Sequence, residues 1–135
     1  MAGDPLVVRY APQLEIVKRA AVVITHAGLN TVLESLAEGV PMVALPLGND
    51  QPGVAARIAA RGAGVVIPQK KLSAKKLRAA VLAVLTDERY RQAAGTLKKA
   101  IAEADGLNRA ANVIEDSLRI GAEKRKPWAE TVAAD

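Results

Sequence analysis

His26 is the only imidazole in this 135-residue chain, and polar or minimal side chains follow it closely: Gly28, Asn30, Thr31 and Glu34. It comes directly after an uncharged, β-branched run, and Asn30 and Thr31 open a segment of helical spacing. A strand that feeds a helix through such a turn leaves amide groups and the positive end of the helix dipole pointing outward. That is an anion-binding arrangement. Glu34, one turn into the helix, reaches the same cavity, and a carboxylate beside a phosphate site is the usual partner of ribose hydroxyls, so a nucleotide satisfies both halves. A second polar pair, Asp50 and Gln51, offers a carboxylate and an amide suited to adjacent hydroxyls of a sugar. Each residue also has a plain structural role. A histidine after a strand is a common hydrogen-bonding group, Asn30 or Thr31 could cap a helix, Glu34 could complement its dipole, and Asp50 with Gln51 could start the next helix. The functional reading draws its weight from their crowding onto two neighbouring loops.

The elements that must position these loops follow from pattern. Residues 21–25 and 42–45 are compact apolar runs without charge, as in parallel strands covered on both faces by helices. Helical segments follow at 32–37, closed by Gly39 and Pro41, and at 51–61, closed by Gly62 and Gly64; a further strand is predicted at 65–67. This is repeated βαβ grammar, an α/β chain with a Rossmann-like parallel sheet flanked by helices. Upstream, residues 6–10 read as a short strand around Val7 and Val8, and 13–20 as a helix. Downstream, the C-terminal third is helical. Ser73 caps a helix with Leu77, Val81 and Leu85 in line, Asp87 caps one with Tyr90, Ala94, Leu97 and Ile101 on one face, and a helix at 107–120 buries Ala110, Val113, Ile114 and Leu118. Residues 1–120 are expected to form one domain and 121–135 a flexible charged tail.

Composition excludes several classes. There is no cysteine, so neither disulfides nor thiolate chemistry is available, and His26 with carboxylates is a poor set for a metal; none is expected. The apolar runs fall well short of the roughly 20 residues of a membrane span. The N-terminus lacks the basic-then-apolar pattern of a secretory signal, which points to the cytoplasm. Nineteen basic against fourteen acidic residues give a net charge of +5, which favours anionic ligands without naming one. Lys70, Lys71, Lys75, Lys76 and Arg78, and Lys124 to Lys126, are unaccompanied by aromatic side chains, so nucleic-acid recognition is not expected. A Rossmann-like interaction or nucleic-acid-binding module with a basic surface is the alternative, to be separated by titration with a free nucleotide against a short duplex.

Read as one string, YAPQ from Tyr10, THAGLNTVLESLAEG from Thr25 and VPMVALPLGNDQ from Val40 resemble the nucleotide-sugar signature of family 1 UDP-glycosyltransferases. The match runs from Tyr10 to Gln51 without a gap, and the helical remainder to about Leu118 resembles the end of the same family's C-terminal domain. The resemblance implies part of the C-terminal, donor-binding half of a GT-B fold. It makes Tyr10 the ring stacked on uracil and Gln13 a contact to the nucleoside, by side chain or backbone. His26, Gly28, Asn30 and Thr31 would meet the diphosphate, Glu34 the ribose, and Asp50 with Gln51 the transferred sugar. The plant signature has Trp where this chain has Tyr10 and Leu29, and His where it has Arg19. The resemblance further implies an inverting transfer of a hexose from a UDP-sugar to a small-molecule hydroxyl, with no cofactor. It places the general base in an N-terminal acceptor domain outside these residues, so no catalytic base is expected in the chain and the chain alone is expected to be inactive. It also implies two strands preceding residue 6 that lie between the 6–10 strand and the rest. Without them, either the 6–10 strand pairs beside residues 22–24 or the exposed sheet edge takes a second copy, a homodimer.

Overall fold

A computed structural model describes residues 5–123. They fall into two compact units divided between Ala102 and Glu103.

In the first unit, three parallel strands, β1 (Val23–Thr25), β2 (Met42–Ala44) and β3 (Gly64–Val66), lie in the order β1-β2-β3, with Val23 beside Met42 and Met42 beside Gly64. The helices are α1 (Gln13–Val17), α2 (Leu29–Ala37), α3 (Gln51–Ala60), α4 (Ala74–Thr86) and α5 (Glu88–Glu103). Alternate residues of the central strand point to opposite faces. Met42 and Ala44 join Val32 and Leu36 of α2, Val54, Ala55 and Ile58 of α3, and Ala94 of α5. Val43 joins Ala80, Val81 and Val84 of α4 on the other side. The expected sheet with helices on both faces is what forms, and with few aromatics available its core is built from Ala, Val, Leu, Ile and Met.

Glycine closes α2 and α3 in the same way. Gly39 and Gly62 take φ values of 70° and 69°. Their N–H groups bond back to Leu36 and Ala59, and the next residues, Val40 and Ala63, bond to Ser35 and Ile58. This pair of bonds requires a left-handed residue, which costs a side-chain-bearing residue about 1 kcal/mol. Each helix is thereby turned back toward the start of a strand, so that all three strands deliver their carboxyl ends to one edge.

Four expectations are corrected. Residues 6–10 form no strand: the segment is irregular with a bend at Arg9, Val7 is 85% exposed, and its β-prone side chains find no neighbouring strand to pair with. The run at 21–25 is not buried on both faces; β1 is an edge strand, and Ile24 is 49% exposed. On α4 the buried residues are Ala80, Val81 and Val84 with Leu77 half-buried, whereas Leu85 is exposed. Steps of four residues drift by about 40° each around a helix of 3.6 residues per turn, which carries Leu85 off the contact face. In the second unit, α6 (Gly106–Glu123) has the expected periodicity, but Ala110, Val113, Ile114 and Leu118 are exposed rather than buried. Periodicity specifies an apolar stripe and does not supply its partner.

Two expectations downstream hold. Ser73 caps α4 through a bond from Lys76 N–H at 3.3 Å. The face of α5 carrying Tyr90, Ala94, Leu97 and Ile101 is the one turned to the core. The tail from residue 124 lies outside the described residues, while residues 121–123 continue α6.

Candidate functional site

The turn after β1 is made by residues that the motif reading passed over. Buried Thr25 accepts the N–H of Ala27 through its hydroxyl at 3.2 Å. Ala27 takes φ 68° with its methyl fully buried in the core, an uncommon conformation for a residue with a side chain. A Thr two residues ahead of the turn is the local signal that could have found this. The kink leaves His26 exposed at the strand end and feeds Gly28 directly into α2.

Gly28 makes room for a neighbouring side chain. A β-carbon built on it would lie 2.6 Å from His26 Nε2, so the space over Gly28 belongs to the imidazole of His26. Gly28 also takes the N-cap position of α2 and makes no side-chain cap bond. Asn30 and Thr31 therefore do not cap the helix, and the first amides of α2 keep the outward orientation an anion needs. His26, Gly28, Leu29, Asn30 and Thr31 line a cavity of about 420 Å³ at this helix start. On its other side, His26 and Thr31 join Gln13, Ile16, Val17 and strand β1 around a cavity of about 570 Å³. His26 and Thr31 stand at the junction of the two. Glu34, half-buried, adjoins them through Gln13, whose Nε2 donates to Glu34 Oε2 and to Thr31 Oγ1, the latter at 3.3 Å.

Asp50 and Gln51 come to the same sheet edge, because Thr25 and Ala44 are paired neighbours and both strands run the same way. They line neither cavity. Asp50 occupies the N-cap position of α3 without capping it, which leaves its carboxylate outside the helix's own hydrogen bonding. Gln51 is partly committed: its Oε1 accepts the N–H groups of Leu47 at 2.9 Å and Gly48 at 3.1 Å. It holds its own loop, and toward a ligand it has amide hydrogens to offer. Tyr10 lies in the irregular N-terminal segment with its ring 86% exposed and joins none of these groups. Among the described residues, no cluster of three or more His, Cys, Asp or Glu side chains could hold a metal, and no helix is long and apolar enough to cross a membrane.

A parallel three-stranded sheet flanked by helices, with a helix start and a carboxylate at its carboxyl edge, defines the Rossmann-like class of α/β domain. Comparison with known proteins makes this particular. The family profile described as UDP-glucoronosyl and UDP-glucosyl transferase matches residues 1–122, and the chain belongs to that family. It is 36% identical over 110 residues to the uncharacterized UDP-glucosyltransferase YojK of Bacillus subtilis, covering 82% of this chain and 27% of the relative. It is 38% identical over 116 residues to the zeaxanthin glucosyltransferase of Pseudescherichia vulneris, covering 86% and 28%. Among solved structures it resembles the glycotransferase of kitacinnamycin, with TM-score 0.75, 34% identity and 79% of this chain against 28% of that one. It also resembles Os79 from O. sativa, solved with UDP and deoxynivalenol-3-glucoside, with TM-score 0.65, 30% identity, 70% and 24%. The chain thus spans under a third of the length of these relatives, and its fold is a partial GT-B C-terminal domain.

Proposed function

We propose that this chain is the donor-binding part of an inverting glycosyltransferase that moves a hexose from a UDP-sugar to a hydroxyl group of a small molecule. One observation carries the reading: the uncapped start of α2 opens, beside His26, onto a cavity bordered by Thr31, with Glu34 one turn further on. The amides of Leu29, Asn30 and Thr31 and the helix dipole oppose the charge that develops on the diphosphate as the glycosidic bond to UDP breaks. His26 adds a hydrogen bond to the same oxygens. Glu34 takes the ribose hydroxyls, Tyr10 offers an aromatic face to uracil, and Asp50 with the amide of Gln51 meets the hexose. The ligand of Os79, UDP, is in keeping with this assignment.

Acceptor recognition and the general base belong, on this reading, to the part of the relatives' length that these residues do not span. The 135-residue chain then binds donor without turning it over, needs no cofactor or metal, and works in the cytoplasm. The open edge of β1, bordered by a groove of about 520 Å³ between Ile24 and α4, takes a second copy. Lys75 and Arg78 line that groove, so two copies bring like charges together and pairing strengthens with salt.

Calorimetric titration at millimolar UDP, with a short DNA duplex as comparison, tests the donor reading. Saturable UDP binding that weakens in His26→Ala supports it. Salt-sensitive duplex binding without any UDP binding would overturn it in favour of a nucleic-acid-binding module.

A further inference from the structure

Glu34 is held from outside its own helix. Gln13 opens α1, and its side-chain amide donates to Glu34 Oε2 and Thr31 Oγ1 across to α2. Thr31 and Glu34 stand three residues apart, so they share the face of α2 that packs against α1. One amide nitrogen carries two N–H groups, and here it meets two acceptors. The bond to Glu34 is charge-assisted, the stronger kind. The other oxygen, Oε1, with the second lone pair of Oε2, is enough to receive two neighbouring hydroxyls.

We propose that Gln13 is a positioning residue for Glu34: it sets the orientation of the carboxylate before ligand arrives, so that a vicinal diol meets a pre-ordered acceptor. A glutamate side chain that is free to rotate loses rotamer freedom on binding, and that loss is subtracted from affinity. This rests on the donor reading and sharpens it. Sequence resemblance gives Gln13 a contact to the nucleoside by side chain or backbone; its side chain here is engaged by Glu34 and Thr31, so the influence of that side chain on the nucleoside passes through the carboxylate. Gln13 therefore governs the preference for ribose over deoxyribose and leaves recognition of base and phosphate to other residues.

The test is titration of UDP and 2′-deoxy-UDP into the 135-residue chain and into Gln13→Ala, Gln13→Lys, Glu34→Ala and the Gln13→Ala/Glu34→Ala double variant, with thermal unfolding alongside. Wild type is expected to prefer UDP on the order of 10-fold, the worth of one hydrogen bond to a charged group. Glu34→Ala abolishes that preference, Gln13→Ala cuts it to a few-fold, and the double variant matches Glu34→Ala. Gln13→Lys, which keeps a donor, restores it. An undiminished preference in Gln13→Ala, or additive losses in the double variant, overturns the inference and leaves the donor reading standing. Failure of wild type to bind any uridine nucleotide overturns both. A second measurement needs no change at Gln13: its side-chain amide resonances follow a pH titration of Glu34 in wild type and lose that dependence in Glu34→Gln. Resonances that ignore the titration overturn the proposal even if Gln13→Ala fails to fold.

Discussion

Replacing Gly28 by alanine puts a methyl carbon 2.6 Å from His26 Nε2, 3.3 Å from Cε1 and 3.5 Å from Cδ2. The backbone accepts the change, because φ −63° and ψ 136° are open to any residue. Alanine also narrows the unfolded ensemble, which stabilises by about 0.4–1 kcal/mol. Every close atom belongs to the end of one exposed, rotatable side chain, and swinging it off its rotamer costs about 0.5–1.5 kcal/mol. These terms nearly cancel, so unfolding free energy should stay within about 1 kcal/mol of wild type. The site is affected more. Ordinary contact begins at 3.4 Å, so Nε2 must retreat by roughly 0.8 Å. A hydrogen bond of about 2.8 Å from the ring to a phosphate oxygen, lengthened that much, is no longer a bond. The loss is about 1.5–3 kcal/mol, or UDP affinity lower on the order of 10- to 100-fold. Calorimetry with UDP and thermal unfolding of Gly28→Ala read the two effects separately, and in a His26→Ala background the same substitution should leave UDP affinity unchanged and, with no ring to displace, stabilise the fold by about 0.4–1 kcal/mol. A melting temperature lowered by more than roughly 8 °C, or an unchanged affinity for UDP, would refute the reasoning.

Gly64→Ala differs in kind, because its β-carbon would sit 2.1 Å from the Met42 carbonyl oxygen and 3.0 Å from Ile58 Cγ2. Backbone inside a sheet cannot swing aside, so a destabilisation at or above the upper end of the roughly 1–3 kcal/mol range for overpacking is expected in urea unfolding. Ser73→Ala removes the α4 cap and should cost about 1 kcal/mol, with Ser73→Asp retaining most of it. Gln51→Ala leaves the N–H groups of Leu47 and Gly48 without their acceptor, so their hydrogen exchange should quicken several-fold, whereas Gln51→Glu keeps it slow. Hydrogen bonds from Arg89 hold the Asp87 carboxyl below its ordinary range. A lowered folded value means that the contribution is present above the unfolded value near pH 4 and is lost as pH falls through the folded one. Asp87→Asn should therefore flatten the melting temperature in that acid window, with only a small effect at pH 7 because Arg89 is exposed.

Strands 42–44 and 64–66 and the loops that follow were legible from short uncharged runs punctuated by Gly and Pro. Those signals are local: a strand buried on both faces needs no alternation, and a helix that closes on a left-handed residue calls for glycine at that residue. The segment at 6–10 carried an equally good strand composition and forms none, because a strand exists only with a neighbour. The apolar stripe of α6 failed as a guide to burial for the same reason.

Residue types along one stretch of chain were sufficient to decide that His26, Thr31, Glu34, Asp50 and Gln51 gather at the carboxyl edge of a parallel sheet, since βαβ connectivity sends every such loop to that edge. Only the folded arrangement decided what each does there. The ring of His26 over Gly28, the inward carbonyl of Gln51 and the amide of Gln13 on a carboxylate 21 residues away are contacts made across space. Hydrogen bonds and van der Waals contacts act over a few ångströms, and no spacing along a chain specifies which distant atoms folding brings within that reach.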